Sequence, residues 1–293
     1  MIRGDKNAEV KSAQAKLAAL GYSVSADGDF GPGTEKAFVK FYGKHSLAWS
    51  GTVGNDGISA LDAEHTLNGI VIKDYFLMDN EYYKVESPKN TIYLHHTAGG
   101  AIAEDVVAFW EHDEKKGQVA LKVATSFIIG GPSSKDSSSD GKIVRAFDDK
   151  YWAHHLGTKL KNNAELNAQS VGIEVNNWGP LTKSRDGKFL TYVGSGILPK
   201  NVCELATPFR GFKYYHKYSN TQIEQLRRLI TFLMVKHGIK LQPNYEWTPE
   251  SFELSKRAAV GEGGIWTHTH VRIDKTDLSP QPALLEMLNA LSK

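Results

Sequence analysis

The chain lacks several features that would narrow its function at once. It has a single cysteine, Cys203, in 293 residues. One thiol closes no internal disulfide, so nothing here demands an oxidising compartment. It has no excess of one charge: 35 lysines and arginines stand against 33 aspartates and glutamates. That balance leaves no electrostatic footprint for nucleic acid. A pI near 8.4 implies mild attraction to anionic surfaces, which bears on association rather than chemistry. No apolar run is long enough to cross a bilayer. The opening MIRGDKNAEVKS has no apolar core of a secretory signal. The expectation is a monomer with no membrane insertion, synthesised in the cytoplasm without a signal peptide. A His-Glu-x-x-His string, the commonest zinc-peptidase signature, is also missing.

What is present suffices for a large core: 41% of the residues are hydrophobic, and the length suits one big domain or two unequal ones. Val10, Ala13, Leu17 and Leu20 recur at helical spacing, and Gly21 follows as a C-terminal stop. A turn-rich string, Asp27-Gly28-Asp29-Phe30-Gly31-Pro32-Gly33, leads to Thr34 as the expected cap of a second helix with Ala37, Phe38 and Phe41 on one face. A looser echo, Gly51-Thr52-Val53-Gly54, precedes a third helix over Asp56 to Leu67. Residues 1–67 therefore read as a small three-helix domain. The ordered string Val10…Ala13-Gln14…Leu17…Leu20-Gly21-Tyr22, Asp27-Gly28-Asp29-Phe30-Gly31…Thr34…Ala37…Phe41 resembles the three-helix peptidoglycan-binding domain. It departs from that family at Tyr42, where glutamine is usual.

Residues 68–90 read as a linker, although Ile70, Val71, Tyr75 and Phe76 imply some packing. From Thr91 strands alternate with helices: strands over Thr91 to His95, Ser126 to Ile129, Lys142 to Phe147 and Ser170 to Val175. The expected helices run over Ala103 to Trp110, with Val106, Phe109 and Trp110 on one side, and over Thr221 to His237, with Thr221 and Glu224 as a capping box. A last helix spans Pro282 to Leu291. This order predicts an α/β domain over 91–293, a mixed central sheet flanked by helices. Leu181 to Tyr218 is the least readable stretch. Its Arg185-Asp186-Gly187-Lys188 marks a hairpin turn, and the aromatic and basic residues of Phe209 to Tyr215 suit either a glycan groove or a core and its rim.

The chemistry concentrates in two places: His95-His96 at the end of the first of these strands, and His268-Thr269-His270-Val271 with Lys275-Thr276-Asp277. A strand end faces the crevices of an α/β sheet. Two histidines and an acid make a three-ligand zinc site whose fourth position stays open for water, the catalytic form. The pieces Ile92-Tyr93-Leu94-His95-His96-Thr97-Ala98-Gly99, Ser126-Phe127-Ile128-Ile129, Ala153-His154-His155-Leu156-Gly157, Ser170-Val171-Gly172-Ile173-Glu174-Val175-Asn176 and His268…Lys275-Thr276-Asp277 run in order over almost all of 91–293. In this the second domain resembles the zinc-dependent N-acetylmuramoyl-L-alanine amidases of type 2, the group that includes phage lysozyme-type amidases and peptidoglycan recognition proteins.

The resemblance implies Zn²⁺ held by His95, His268 and Asp277. His270 competes with His268, and His96 is a neighbour. Leu278-Ser279-Pro280 follows Asp277 where many members continue directly with proline and glycine. Glu174 and Lys275 are the implied catalytic pair, since Thr125 stands where many members have a tyrosine. Strand alternation sets Glu174 apart from Ile173 and Val175; a solvent-facing edge glutamate is the other reading. An extended chain would put Lys275 and Asp277 on one side. His155, with His154 as its alternative, matches a histidine that lines the substrate groove.

The residues alone give zinc-assisted hydrolysis of an amide or ester. The resemblance adds the bond between N-acetylmuramic acid and L-alanine of bacterial peptidoglycan. It implies water made acidic by zinc, Glu174 as general base, and Lys275 stabilising the oxyanion, a donor worth about 3–4 kcal/mol. A wall hydrolase with a wall-binding module and no signal peptide fits a phage endolysin, made in the host cytoplasm and acting on the wall after release. The alternatives are a bacterial or prophage autolysin, a zinc peptidase cutting within the stem peptide, and a non-catalytic peptidoglycan receptor. Against the last, all three ligand positions hold competent residues.

Overall fold

Asn7 begins the chain's first helix by accepting the Val10 amide on its side-chain oxygen at 2.9 Å, which satisfies one of the free donors of α1 (Ala8–Ala19). In a computed structural model that describes residues 1–68, 70–111 and 121–291, the chain forms two units, Met1–Ile70 and Val71–Lys293. The first unit holds α1, α2 (Pro32–Lys44) and α3 (Asn55–Asn68) around Val10, Leu17, Phe30, Phe38, Phe41, Tyr42 and Leu61. Buried Gln14 ties α1 to the turn-rich string. Its amide nitrogen lies 2.9 Å from Asp27 Oδ1, and its oxygen accepts the Gly28 amide at 2.7 Å. Thr34 does not cap α2, which starts at Pro32 after Gly31. It sits buried inside the first turn and accepts from Gln14 at 2.8 Å. Tyr42 is buried too, its hydroxyl accepting the Gly54 amide at 3.1 Å. A Cβ at Gly57 would lie 1.9 Å from that hydroxyl, so only glycine leaves Tyr42 its place.

The expected linker is structured. Gly69 lies outside the described residues, but from Val71 onward the stretch belongs to the second unit. Strand β1 (Ile72–Asp74) pairs in parallel with β4 (Ile143–Arg145). Val71, Tyr75 and Phe76 are exposed; Leu77 and Tyr82 are the residues that pack, Tyr82 stacking on Phe147 at 5.0 Å. Buried Lys89 donates to the carbonyls of Tyr151 and Ala168 at 2.8 and 2.6 Å. Hydrophobicity alone misses this anchor, because a strand of three residues has almost no pattern to read.

The central sheet runs β1-β4-β3-β5-β2-β11, with β2 (Thr91–His96), β3 (Phe127–Ile129), β5 (Ser170–Val175) and β11 (Gly264–Thr267). β3 and β4 are antiparallel; the other neighbours are parallel, so the sheet is mixed. Every residue of β2 is buried, as a central parallel strand requires. Helix α4 (Ala103–Trp110) packs on β3 and β4, and α5 (Asn163–Ala168) on β5. Helix α6 (Asn220–His237) packs on β3 and on the terminal helix; α7 (Lys256–Ala259) is one turn, and that terminal helix is α8 (Pro282–Ala290). The capping box of α6 is Ser219 with Gln222, because the helix starts earlier than Thr221. Glu224 instead binds Arg227 and Arg228.

Residues 180–216 form a separate antiparallel sheet, β8-β7-β6-β10-β9: β6 (Pro180–Lys183), β7 (Phe189–Leu190), β8 (Gly196–Ile197), β9 (Val202–Phe209) and β10 (Phe212–His216). Gly187, at φ 83°, closes the expected hairpin turn between β6 and β7. Tyr215 is buried and donates to the Phe209 carbonyl at 2.7 Å, within its own hairpin.

Candidate metal centre

Three parallel strands, β5, β2 and β11, lie side by side, so their C-terminal ends share one edge of the sheet. Crevices beyond such ends are where α/β sheets place ligands. His95 stands near the end of β2. His268 opens the 3₁₀ turn His268–His270 directly after β11. That adjacency brings together two histidines 173 positions apart, with Nδ1 atoms 3.1 Å from each other. Asp277 reaches the same point from an irregular loop, its Oδ2 2.9 Å from His268 Nδ1 and 3.4 Å from His95 Nδ1. All three are buried, and one ligand atom from each lies within 4.8 Å of the others.

The donor set tests whether a cation fits. His268 Nε2 lies 2.7 Å from the Leu156 carbonyl oxygen. A carbonyl only accepts, so Nε2 carries a hydrogen, and Nδ1 is the nitrogen that faces the Asp277 carboxylate oxygen. Burial and the neighbouring His268 push His95 down to about 4, which keeps it a neutral imidazole. Burial raises Asp277, but the neighbouring His268 outweighs it and holds the carboxyl well below its usual range. Two imidazole nitrogens and a carboxylate oxygen converging on one point form a donor set that a cation completes.

Glu174 pairs with His95 in register across β2 and β5, which puts both side chains on one face. Its Oε2 is buried without a hydrogen-bond partner. Burial pushes Glu174 well above the usual carboxylate range; the Asp277 charge adds to this and Lys275 opposes it. Half-buried Lys275, in the loop before Asp277, also pulls His95 and His96 downward. That loop is not an extended strand, so simple alternation does not describe Lys275 and Asp277. Glu174 lines a cleft of about 320 Å³ with Thr97, Phe109, Trp110 and Tyr192. Phe109 stands exposed in that cleft, while Ala103 and Val107 form the inward face of α4.

The other candidate histidines make contacts of their own. His270 Nδ1 is 3.0 Å from the Thr267 amide and its Nε2 2.7 Å from the Tyr245 hydroxyl, in an aromatic box with Trp247, Phe252 and Trp266. His96 approaches the Tyr218 hydroxyl at 3.4 Å, and His154 the Tyr83 hydroxyl at 3.3 Å. His155, expected to line the substrate groove, is half-buried beside His95. Both its ring nitrogens are taken by protein, Nδ1 by His95 Nε2 at 3.0 Å and Nε2 by Ser170 Oγ at 2.9 Å. Sequence reasoning missed the partners of these histidines, namely Ser170, Asn167 and the Leu156 carbonyl, along with the cleft residue Tyr192. A serine, an asparagine and a backbone carbonyl carry no residue-type signal for such a place.

The family model for N-acetylmuramoyl-L-alanine amidase matches residues 86–282. A peptidoglycan binding domain model matches residues 6–61. Among solved structures, the endolysin N-acetylmuramoyl-L-alanine amidase LysCS from Clostridium intestinale is 15% identical, covering 76% of this chain and 95% of its own, at a TM-score of 0.40. The Ph2119 endolysin from a Thermus scotoductus bacteriophage is 13% identical, covering 71% and 92%, at 0.36. The Staphylococcus aureus hydrolase AmiA in complex with its ligand is 11% identical, covering 80% and 89%, at 0.39. No curated protein matches the chain.

Proposed function

We propose that this chain, which belongs to the N-acetylmuramoyl-L-alanine amidase family and is a peptidoglycan amidase with an N-terminal peptidoglycan-binding domain, cuts the amide between N-acetylmuramic acid and L-alanine with zinc held by His95, His268 and Asp277. The observation that carries the reading is the convergence of two histidine Nδ1 atoms and one carboxylate oxygen, buried at one point. Two imidazoles and a carboxylate, leaving a position open, match the donor preference of catalytic zinc. When bound there, zinc supplies Lewis acidity towards water and the scissile carbonyl.

The chain's own residues do the rest. The cleft between α4 and Tyr192 receives the substrate, its aromatic side chains offering apolar faces to sugar rings. Glu174 takes the proton of the attacking water on its unpartnered Oε2 and returns it to the leaving amine. Its elevated proton affinity suits both halves of that exchange. The Lys275 ammonium stabilises the negative charge that develops on the carbonyl oxygen. The N-terminal module holds the enzyme on the wall and raises its local concentration there.

Metal analysis of purified variants tests the site. The wild type and His270→Ala retain zinc, while His95→Ala and His268→Ala lose it. Retention of zinc and activity in the latter two refutes the ligand assignment. We read the biological role as that of a phage endolysin released by a separate membrane-permeabilising protein; among the described residues no helix is long and apolar enough to cross a membrane. Cells expressing the chain alone should stay intact and lyse when a permeabilising partner is supplied. Export without such a partner favours an autolysin instead.

A further inference from the structure

Neither imidazole at this centre is free to choose which nitrogen carries its hydrogen. The Leu166 carbonyl oxygen only accepts, and Ser170 Oγ donates to it at 2.7 Å. That commits the hydroxyl proton, so Ser170 Oγ meets His155 Nε2 with lone pairs, at 2.9 Å. His155 Nε2 is therefore the donor, and neutral His155 has a bare Nδ1. His95 Nε2, 3.0 Å away, donates to that Nδ1. His95 is left with a bare Nδ1, the atom that faces Asp277. His268 is held through the next residue, whose carbonyl oxygen, that of Leu156, accepts from Nε2 at 2.7 Å and leaves Nδ1 as the nitrogen nearest Asp277.

Adjacent residues thus orient both imidazoles, and one side chain pins them. Asn167 Oδ1 accepts the backbone amides of His155 and Leu156 at 2.7 and 3.1 Å. β5 makes room for the ring: a Cβ at Gly172 would lie 3.2 Å from His155 Cγ and 2.8 Å from Thr125 Cγ2. We infer that the His155–Leu156 segment, pinned by Asn167 and Ser170, is an outer shell that locks His95 and His268 as Nε2-protonated tautomers and aims both Nδ1 lone pairs at the metal position. His155 is a positioning residue acting through His95. The inference rests on the reading of His95, His268 and Asp277 as zinc ligands.

Zinc affinity of the full chain, measured by competition with a chromophoric chelator, tests it without recourse to activity. His155→Leu should weaken zinc binding roughly 10–100-fold, the usual effect of losing such a partner. His155→Asn, whose Oδ1 keeps an acceptor where Nδ1 stood, should stay close to wild type. Ser170→Ala should weaken binding in the same direction as His155→Leu. Unchanged affinity in His155→Leu, or equal losses in the leucine and asparagine variants, overturns the inference. If His155→Leu does not fold, nitrogen-15 NMR of the zinc-free wild type decides. Hydrogens on Nε2 of His155 and His95 are expected, and a His155 protonated at Nδ1 reverses the chain and overturns it. A wild type that binds no zinc overturns the zinc reading, while the same spectrum still decides the tautomers.

Discussion

Glu174 keeps a buried carboxylate oxygen unpartnered, an arrangement that costs stability wherever it occurs. Glu174→Gln should therefore leave the melting temperature unchanged or higher. The same variant should keep its zinc and lose turnover by about 10²–10⁴, the range of a general base. Lys275→Ala should also keep zinc while losing on the order of 10²–10³ in kcat. Zinc loss in either variant, measured by metal analysis, contradicts the roles given them. His270→Ala should behave in the opposite way. It should keep zinc and turnover but lose about 1–3 kcal/mol on urea unfolding, because Thr267 and Tyr245 lose their buried partner. At this scale the trio His95, His268 and Asp277 was legible because its motifs fall in order along the chain. The place of His155 was not: a histidine reads the same in sequence whether it touches a substrate or another histidine.

Helix α6 illustrates what sets an element. Ser219 caps it by accepting the Gln222 amide at 2.9 Å. Ser219→Ala should cost about 1 kcal/mol, while Thr221→Ala, exposed within the first turn, should stay within about 0.5 kcal/mol. At the other end, fully buried Asp149 accepts from Lys236 at 2.7 Å and from His237 at 2.5 Å. Burial raises Asp149, but these bonds outweigh it and hold the carboxyl at about 2. A depressed carboxylate stabilises the fold at pH above its unfolded value, and that contribution is lost as pH falls through the folded one. In chelator, the difference in unfolding free energy between wild type and Asp149→Asn should shrink by about 2 kcal/mol between about pH 4 and about pH 2. A constant difference contradicts the assignment. The apolar stripe of α6 was visible by its period. The second sheet was not, because β7 and β8 are two residues long and carry no alternation to detect.

For the molecule as a whole, the boundary between the units carries a consequence. Removing residues 1–70 should leave an amidase that unfolds cooperatively and cuts soluble muropeptides at the wild-type rate. Its activity on intact sacculi should fall on the order of 10²-fold through loss of wall retention. Removing residues 1–90 should destroy the fold, because β1, Leu77, Tyr82 and Lys89 go with it. Circular dichroism melts of the two truncations check both statements. Equal stability would return 71–90 to the status of a linker. The two-part organisation was readable from the change of pattern at Thr91, but its true edge was hidden because Leu77 and Tyr82 are isolated anchors rather than part of a periodic run.

Mass spectrometry of muropeptides released from purified peptidoglycan tests the central claim most directly. The zinc-loaded chain should release stem peptides with a free L-alanine amino group and leave glycan strands without new reducing ends. Stem peptides cut internally, new reducing sugars, or cleavage that persists after both His95→Ala and His268→Ala would contradict the account.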